Sequence, residues 1–225
     1  MNSEKIVIAV DGPAGVGKST VSQMLAEKLG FGFLDTGSMY RALTLAAMNE
    51  KADLTDTKNL LDILERKDLQ FIIAGGIMKV SIDGANVTDD IRDPDVTANV
   101  KYIAEKAELR AELIKMQRAF ADRHKSIVTE GRDQGTVAFG DADFKFFLTA
   151  DVEERVRRRK AQLSESGKDA DLKALREQIE KRDNSDKNRT VGPLTPADDA
   201  IIIDTMNISA EQVVHKMIEY IKCRL

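Results

Sequence analysis

The sequence predicts an α/β fold, with a parallel five-stranded sheet flanked by helices. Short apolar runs recur between segments with helical spacing, and most runs are rich in β-branched or aromatic residues, as strands covered on both faces should be. The first run leads directly into a glycine-rich loop that opens a helix. The predicted strands cover residues 6–10, 32–34, 126–129, 144–148 and 200–203.

The glycine-rich loop carries a complete nucleotide-binding motif. Residues 12–19 read G-P-A-G-V-G-K-S, a complete G-x-x-x-x-G-K-S phosphate-binding loop (P-loop). Glycines allow consecutive N–H groups to converge on phosphate oxygens, and the helix predicted over 19–29 adds the positive end of its dipole. We therefore expect a nucleoside triphosphate to bind here. The expected contacts are Gly12, Pro13, Ala14, Gly15, Val16, Gly17, Lys18, Ser19 and Thr20.

The middle of the chain departs from this pattern. Between about residues 69 and 88 apolar and polar residues alternate, and the Gly75-Gly76 and Asp83-Gly84 pairs are typical of hairpin turns. This predicts a small antiparallel sheet, followed by helices over about 94–106 and 108–123. We expect a subdomain inserted into a nucleotide-binding core, with the insertion at 65–123 and the core formed by 1–64 and 124–225.

A charged stretch follows the fourth strand. Five of the six residues from 155 to 160 are Arg or Lys. Such a run is either a solvated helix face or a lid over phosphate groups, and we expect a lid at about 155–170. Near the end of the chain, Ser209 and Gln212 form a capping box that predicts the start of a last helix.

Composition excludes several classes of function. The net charge of −4 and the aromatic content of 5% disfavour a nucleic-acid partner. Cys223 is a lone cysteine, which is typical of a reducing compartment. The sequence shows neither a signal-type apolar stretch nor a run long enough to span a bilayer. We expect a cytoplasmic protein with no membrane partner, and a monomer.

Polar clusters follow the predicted strands. Ligands of open α/β sheets bind beyond the carboxyl ends of parallel strands, so these clusters are candidates for a phosphoryl-transfer site. Four stretches matter: D-T-G-S-M-Y-R-A at 35–42, E-G-R-D-Q-G-T at 130–136, R-D-N-S-D-K-N-R at 182–189, and Arg110 on the second inserted helix.

Together with the P-loop, the I-R pair at 91–92 and the E-E-R-V-R-R-R run at 153–159, these stretches resemble the bacterial-type cytidylate kinases. These are P-loop nucleoside monophosphate kinases, and the resemblance spans nearly the whole chain. It implies transfer of the γ-phosphoryl group of ATP to CMP or dCMP, with Mg²⁺ as cofactor. Small nucleotides (ATP, CMP, dCMP) are the implied partners.

The resemblance also implies individual roles. Lys18, Arg132, Arg158 and Arg159 would be catalytic, and Ser19 and Glu130 would hold Mg²⁺, Glu130 through water. Arg41, Arg132 and Arg189 would bind the CMP phosphate, since guanidinium groups bind phosphate bidentately. Arg110 and Asp133 would read the cytosine edge. The full set implied for CMP is Thr36, Tyr40, Arg41, Lys101, Arg110, Arg132, Asp133, Arg182, Asp186 and Arg189.

One position departs from the family pattern. The motif V-S-x-x-A commonly places a serine near the cytosine, and this chain has Lys101 there. The lysine either donates to the pyrimidine O2 or points to solvent. Two alternatives therefore stay open: another small-molecule P-loop kinase, such as a UMP kinase, and a non-catalytic ATP-binding module. A GTPase is disfavoured, because the sequence has no N-K-x-D guanine motif.

Overall fold

The computed structural model describes residues 5–165, 167 and 170–224. Between residues 7 and 66, two strands alternate with two helices and a third helix follows. Asp35 and Asp56 cap the two later helices through their side chains, and Gly30 ends the first helix in the left-handed conformation with φ +69°. The elements are β1 (Val7–Asp11), α1 (Lys18–Leu29), β2 (Gly32–Asp35), α2 (Thr36–Asn49) and α3 (Thr57–Arg66).

The central segment forms the predicted antiparallel sheet. Its first turn contains Gly75 and Gly76, both at positive φ, and this conformation suits the tight hairpin that joins the two longer strands. Two helices follow, and Pro94 occupies the first turn of the first of them, after the capping residue Asp93. The elements are β3 (Leu69–Ala74), β4 (Ile77–Ile82), β5 (Ala85–Asn86), a 3₁₀ turn (Asp90–Arg92), α4 (Pro94–Ala104) and α5 (Ala107–Arg123).

The last part of the described chain returns to alternating strands and helices. The charged stretch at 155–160 lies within one helix, α6 (Val152–Glu165), and residues 166, 168 and 169 of the expected lid lie outside the described residues. The predicted capping box of Ser209 and Gln212 is present. The elements are β6 (Ile127–Gly131), a π-helical turn (Gln134–Ala138), β7 (Phe144–Thr149), α6 (Val152–Glu165), α7 (Leu172–Asn188), β8 (Ile201–Asp204) and α8 (Ala210–Lys222).

The five predicted core strands form one parallel sheet in the order β2-β6-β1-β7-β8. The predicted fold class is thus confirmed, and each strand starts or ends within two residues of its predicted bounds. Asp11 at the end of β1 pairs with Gly131 of β6, and Asp35 at the end of β2 pairs with Glu130. The loops that leave these three strands therefore lie side by side at the carboxyl edge of the sheet.

Alternate residues of β1 enter two different hydrophobic clusters, as expected for a strand buried on both faces. Ile8 and Val10 pack with α1 and α8, whereas Ala9 packs with α2, α3 and α5. The second cluster continues into the antiparallel sheet through Phe71 and Val80, so the insertion shares its core with the parallel sheet. Among the described residues, no helix combines the length and the apolar character needed to cross a membrane.

Candidate active site

The P-loop connects β1 to α1 and depends on its glycines. Gly12 has φ +148°, and a Cβ there would overlap the carbonyl oxygen of Leu148. Gly15 and Gly17 also have positive φ, so the backbone reverses sharply before α1 begins. Val16 is buried in the cluster beneath the sheet and anchors the loop. The loop thus exposes consecutive N–H groups at the start of a helix, which is the arrangement that binds phosphate.

The side chain of Lys18 folds back onto the P-loop, and its ammonium group donates to the carbonyl of Pro13 at 2.8 Å. Its side chain is buried, and burial is the largest reason that the pKa of Lys18 falls from 10.5 to about 7. The neighbouring cations Arg132 and Arg182 lower this pKa further, against the opposing effect of Glu130. The site therefore concentrates positive charge that an anion would stabilise.

Ser19 and Glu130 meet beside this lysine. The Ser19 hydroxyl donates to the Glu130 carboxylate at 2.6 Å, and Glu130 lies near the end of β6 with 6% of its surface exposed. Hydroxyl and carboxylate oxygens are ligands that Mg²⁺ accepts. Thr20, the next residue, is exposed on α1.

A second cluster forms where β2 runs into α2. The Asp35 carboxylate accepts from the backbone N–H and the hydroxyl of Ser38, and Arg41 donates to both side chains at 3.2 and 2.8 Å. Burial alone would raise the pKa of Asp35, but Arg41 and the Ser38 hydroxyl outweigh it and hold the pKa below the usual value. Arg92, from the 3₁₀ turn, lies 3.6 Å from the same carboxylate. Asp35 thus orients Arg41 at the sheet edge.

Thr36 and Tyr40 connect this cluster to its neighbours. The Thr36 hydroxyl donates to the backbone carbonyl of Glu130 at 2.7 Å, which ties the start of α2 to the end of β6. Burial raises the pKa of Tyr40 to about 12. The Tyr40 ring lies 5.7 Å from the guanidinium carbon of Arg110, within the range of a cation–π contact.

Arg110 and Asp133 form a buried ion pair between α5 and the turn after β6. Arg110 is 2% and Asp133 5% exposed. Arg189 lies 3.6 Å from the other carboxylate oxygen of Asp133. Gly192 lies against this pair and has φ +58°. A Cβ at this position would overlap Asp133 and lie 2.6 Å from Arg110 Nη2. The pair therefore presents hydrogen-bond donors and acceptors in a closed, desolvated position.

Two buried nitrogen atoms at this pair lack a hydrogen-bond partner within the described chain. They are Nε of Arg110 and Nη2 of Arg189. A buried donor without a partner costs about 1–3 kcal/mol. Burial, followed by repulsion from Arg110, holds the pKa of Arg189 below the usual value for arginine. The arrangement is one that an additional acceptor would complete.

The helix α7 supplies the remaining charges. Asp186 accepts from Nε of Arg132 at 2.8 Å, and Arg182 is close enough to Arg132 and Arg41 to be repelled by both. Burial, with that repulsion added, lowers the pKa of Arg182 to about 10. Residues that are far apart in the sequence thus form one cationic cluster at the carboxyl edge of the sheet. Its members are Lys18, Arg41, Arg132, Arg182 and Arg189.

The two lid arginines point in different directions. Arg158 is held by Glu154, by the carbonyl and hydroxyl oxygens of Thr205, and by the carbonyl of Val16. Arg159 is exposed, donates to Gln162 at 2.7 Å, and lies close enough to Arg182 to lower its pKa slightly. Arg158 therefore braces the P-loop, while Arg159 faces the cationic cluster.

Lys101 is separate from this cluster in the structure. It is exposed on α4, and its ammonium group lies 4.8 Å from the ring centroid of the adjacent Tyr102. Four buried charged residues were absent from the predicted set: Asp11, Asp35, Arg155 and Asp183. Asp35 contacts Arg41, Asp11 accepts from the turn after Asp133, and Arg155 donates to the P-loop and pairs with Asp183. Asp11 stands next to the predicted loop and Asp183 next to Arg182, but no motif indicates what either carboxylate contacts.

Comparisons with known proteins agree with this geometry. The cytidylate kinase family model matches residues 8–223. The chain is 44% identical to a cytidylate kinase of Desulforamulus reducens over 98% of each chain, and 40% identical to one of Vibrio cholerae over the full length of both. The crystal structure of TT1252 from Thermus thermophilus has a similar fold, with a TM-score of 0.51, 18% identity and 99% of each chain covered.

Proposed function

The chain belongs to the cytidylate kinase family, and we propose that it transfers the γ-phosphoryl group of ATP to CMP or dCMP at the carboxyl edge of its parallel sheet. It is an enzyme, a nucleoside monophosphate phosphotransferase. The observation that carries the assignment of the acceptor is the buried pair of Arg110 and Asp133 beside the cationic cluster.

ATP binds with its phosphate groups in the P-loop. The backbone N–H groups of residues 12–19 and the N-terminus of α1 hold the phosphate oxygens. Lys18 moves from the Pro13 carbonyl to the β- and γ-phosphates, a move favoured by the repulsion it experiences from Arg132.

Mg²⁺ fits next to this loop. The hydroxyl of Ser19 and the carboxylate of Glu130 supply hard oxygen donors, with Glu130 acting through water. Within the described residues, no group of three or more His, Cys, Asp or Glu could hold a metal ion by itself. Nucleotide phosphates would supply the further oxygen ligands. When bound, Mg²⁺ neutralises charge on the phosphate oxygens.

The phosphate of CMP occupies the centre of the cationic cluster, where Arg41, Arg132 and Arg189 bind it. Arg182 and Asp186 lie next to Arg132 and contact the sugar hydroxyls. Thr36 and Tyr40 line the side of this cleft nearest α2. An oxygen of the CMP phosphate then attacks the γ-phosphorus of ATP in line, the bond from this phosphorus to the β,γ-bridging oxygen breaks, and ADP leaves, without a covalent enzyme intermediate.

Arg110 and Asp133 select the base. Asp133 accepts a hydrogen bond from the exocyclic amine of cytosine, and Arg110 donates to the ring acceptors. Uracil would place a carbonyl oxygen against the Asp133 carboxylate. Because both side chains are buried, the unpaired groups would cost about 1–3 kcal/mol, or about a 5- to 150-fold preference for cytosine.

The insertion and the lid enclose the two nucleotides. Residues 65–123 form the acceptor-binding subdomain, which supplies Arg110, and α6 supplies Arg158 and Arg159 beside the P-loop. Their closure excludes water, which would otherwise accept the phosphoryl group of ATP.

A panel of acceptors tests this function. ADP release is measured with CMP, dCMP, UMP and AMP at matched concentrations, with a no-acceptor control for ATP hydrolysis. We expect turnover with CMP and dCMP, and kcat/KM for UMP lower by about 5- to 150-fold. Equal turnover with UMP would contradict the role of Arg110 and Asp133, and the absence of turnover with CMP would contradict the proposed function.

A further inference from the structure

Asp11 is a buried carboxylate with no part in the contacts proposed above. It is the last residue of β1, directly before the P-loop, and is 4% exposed. Its two oxygens accept from consecutive backbone N–H groups, Oδ1 from Gln134 at 2.9 Å and Oδ2 from Gly135 at 2.8 Å. Among the described residues, none forms an ion pair with it.

The two N–H groups belong to the turn that carries the acceptor-binding residues. Arg132 and Asp133 stand immediately before them in the chain, and Gln134 begins the π-helical turn. The Gln134 side chain is fixed as well, because the Thr129 hydroxyl donates to it at 2.9 Å. Asp11 is thus a direct connection between the start of the P-loop and this turn.

We propose that Asp11 is a positioning residue that holds the turn at Arg132 and Asp133 in register with the P-loop, so that both side chains face the acceptor nucleotide. This inference rests on the proposed function, since it takes Arg132 and Asp133 as acceptor contacts. Asp11 itself touches neither nucleotide.

The chemistry of the site favours a positioning role over simple packing. A buried, unpaired carboxylate destabilises the fold, and burial raises the pKa of Asp11 to about 6 despite the two N–H donors. An apolar or neutral side chain would avoid that penalty. What a carboxylate alone provides here is two acceptor oxygens for two adjacent N–H groups.

Asp11→Asn isolates this property. Asparagine keeps the shape and removes the charge, but its amide group has one acceptor oxygen and would set an NH₂ against one of the two N–H groups. Asp143→Asn is the matched control, because Asp143 accepts from the backbone N–H of Val7 at 2.8 Å, at the other end of the same strand, and is exposed.

Steady-state kinetics with CMP, UMP and ATP are measured for the wild type and both variants, together with melting temperatures at pH 7.5. In Asp11→Asn we expect KM for CMP to rise about tenfold and the preference for CMP over UMP to fall, since one hydrogen bond is worth about 1 kcal/mol or more. We expect KM for ATP to change by less than about twofold, and the melting temperature to stay at or above that of Asp143→Asn.

Three results would overturn the inference. The first is that the kinetics of Asp11→Asn match those of Asp143→Asn. The second is that Asp11→Asn loses affinity for CMP and ATP equally and melts at a lower temperature. The third is that Asp11→Asn does not fold. The last two would assign Asp11 to stability alone.

A second measurement separates this inference from the proposed function. Backbone amide exchange at Gln134 and Gly135 is followed without nucleotide, and we expect it to be at least about tenfold faster in Asp11→Asn than in Asp143→Asn. Unchanged exchange would overturn the inference even if CMP is the acceptor. Faster exchange in an enzyme that does not phosphorylate CMP would contradict the proposed function and leave the contact of Asp11 with the turn intact.

Discussion

In the cleft, burial and neighbouring cations lower the pKa values of individual basic residues, and a bound nucleotide would oppose this effect. Lys18 is the clearest case. Burial first, and repulsion from Arg132 second, bring its pKa to about 7, so that at pH 8 most molecules without ligand carry a neutral Lys18. A triphosphate next to the ammonium group favours the charged form and returns the pKa toward 10.5.

Binding of ATP should therefore take up protons. At pH 8 we expect an uptake of about one proton for each ATP bound, falling toward zero at pH 6, where Lys18 is already charged. The titrations use MgATP, whose phosphate groups are ionised at both pH values and do not contribute. Isothermal titration calorimetry in two buffers of different ionisation enthalpy measures the uptake.

Two variants serve as controls for this measurement. Lys18→Met keeps an unbranched side chain without a titrating group, and it should bind ATP more weakly and without proton uptake. Lys115→Met removes a lysine that is 71% exposed and paired with Glu112, so its uptake should equal that of the wild type. Uptake that persists in Lys18→Met would assign the titration to another group.

At the scale of secondary-structure elements, a buried ion pair joins α6, which carries Arg158 and Arg159, to α7, which carries Arg182 and Asp186. Arg155 of α6 lies 2.7 Å from Asp183 of α7, and their side chains are 4% and 9% exposed. The same arginine donates to the carbonyl of Ala14 in the P-loop at 3.2 Å. Through this contact, the helix that carries Arg182 and Asp186 is fixed relative to the P-loop.

Asp183→Ala should be strongly destabilising, because it leaves the Arg155 guanidinium buried without its partner. We expect a loss of about 3–5 kcal/mol in the free energy of unfolding, measured by urea denaturation. Glu180→Ala removes an exposed partner of Arg176 from the same helix and should cost less than about 1 kcal/mol. If Asp183→Ala cost no more than Glu180→Ala, the buried pair would not be a structural connection.

Most of the elements could be predicted from the sequence, but their contacts could not. The five strands of the parallel sheet were predicted because each is a short apolar run buried on both faces. The helix α7 gives a weaker signal, since the apolar residues that it buries are only Leu175 and Ile179. Strong local patterns therefore determine the sheet, while helices on the periphery depend on tertiary contacts.

The same division applies to the candidate site. The P-loop residues could be listed from their glycine pattern, and the acceptor-binding residues from the resemblance to a known family. Arg158 and Arg159 are neighbours in the sequence, yet one braces the P-loop and the other faces the cationic cluster. Asp11 also accepts from residues more than 120 positions away. Such pairings follow from the fold and carry no local sequence signal.

At the scale of the whole molecule, stability is distributed unevenly. The inserted sheet shares a large hydrophobic cluster with α2, α3 and α5, so it should open only when the main core opens. The helices α6 and α7, on the lid side of the cleft, lie outside this cluster. They pack together through a small separate cluster formed by Val156, Leu175 and Ile179.

This difference predicts a specific pattern of hydrogen exchange. Without nucleotides, amides in α6 and α7 should exchange faster than those in β1 and β4, because few buried apolar contacts oppose their local opening. When CMP and a non-hydrolysable ATP analogue are both bound, protection should increase most in α6 and α7, since Arg159 then binds phosphate oxygens and Arg182 binds the sugar hydroxyls of CMP. Exchange measured by mass spectrometry with neither, one or both nucleotides tests this. Equal protection of α7 and β4 in the free enzyme would show that the lid side is as rigid as the core, and closure over the nucleotides would then need another mobile element.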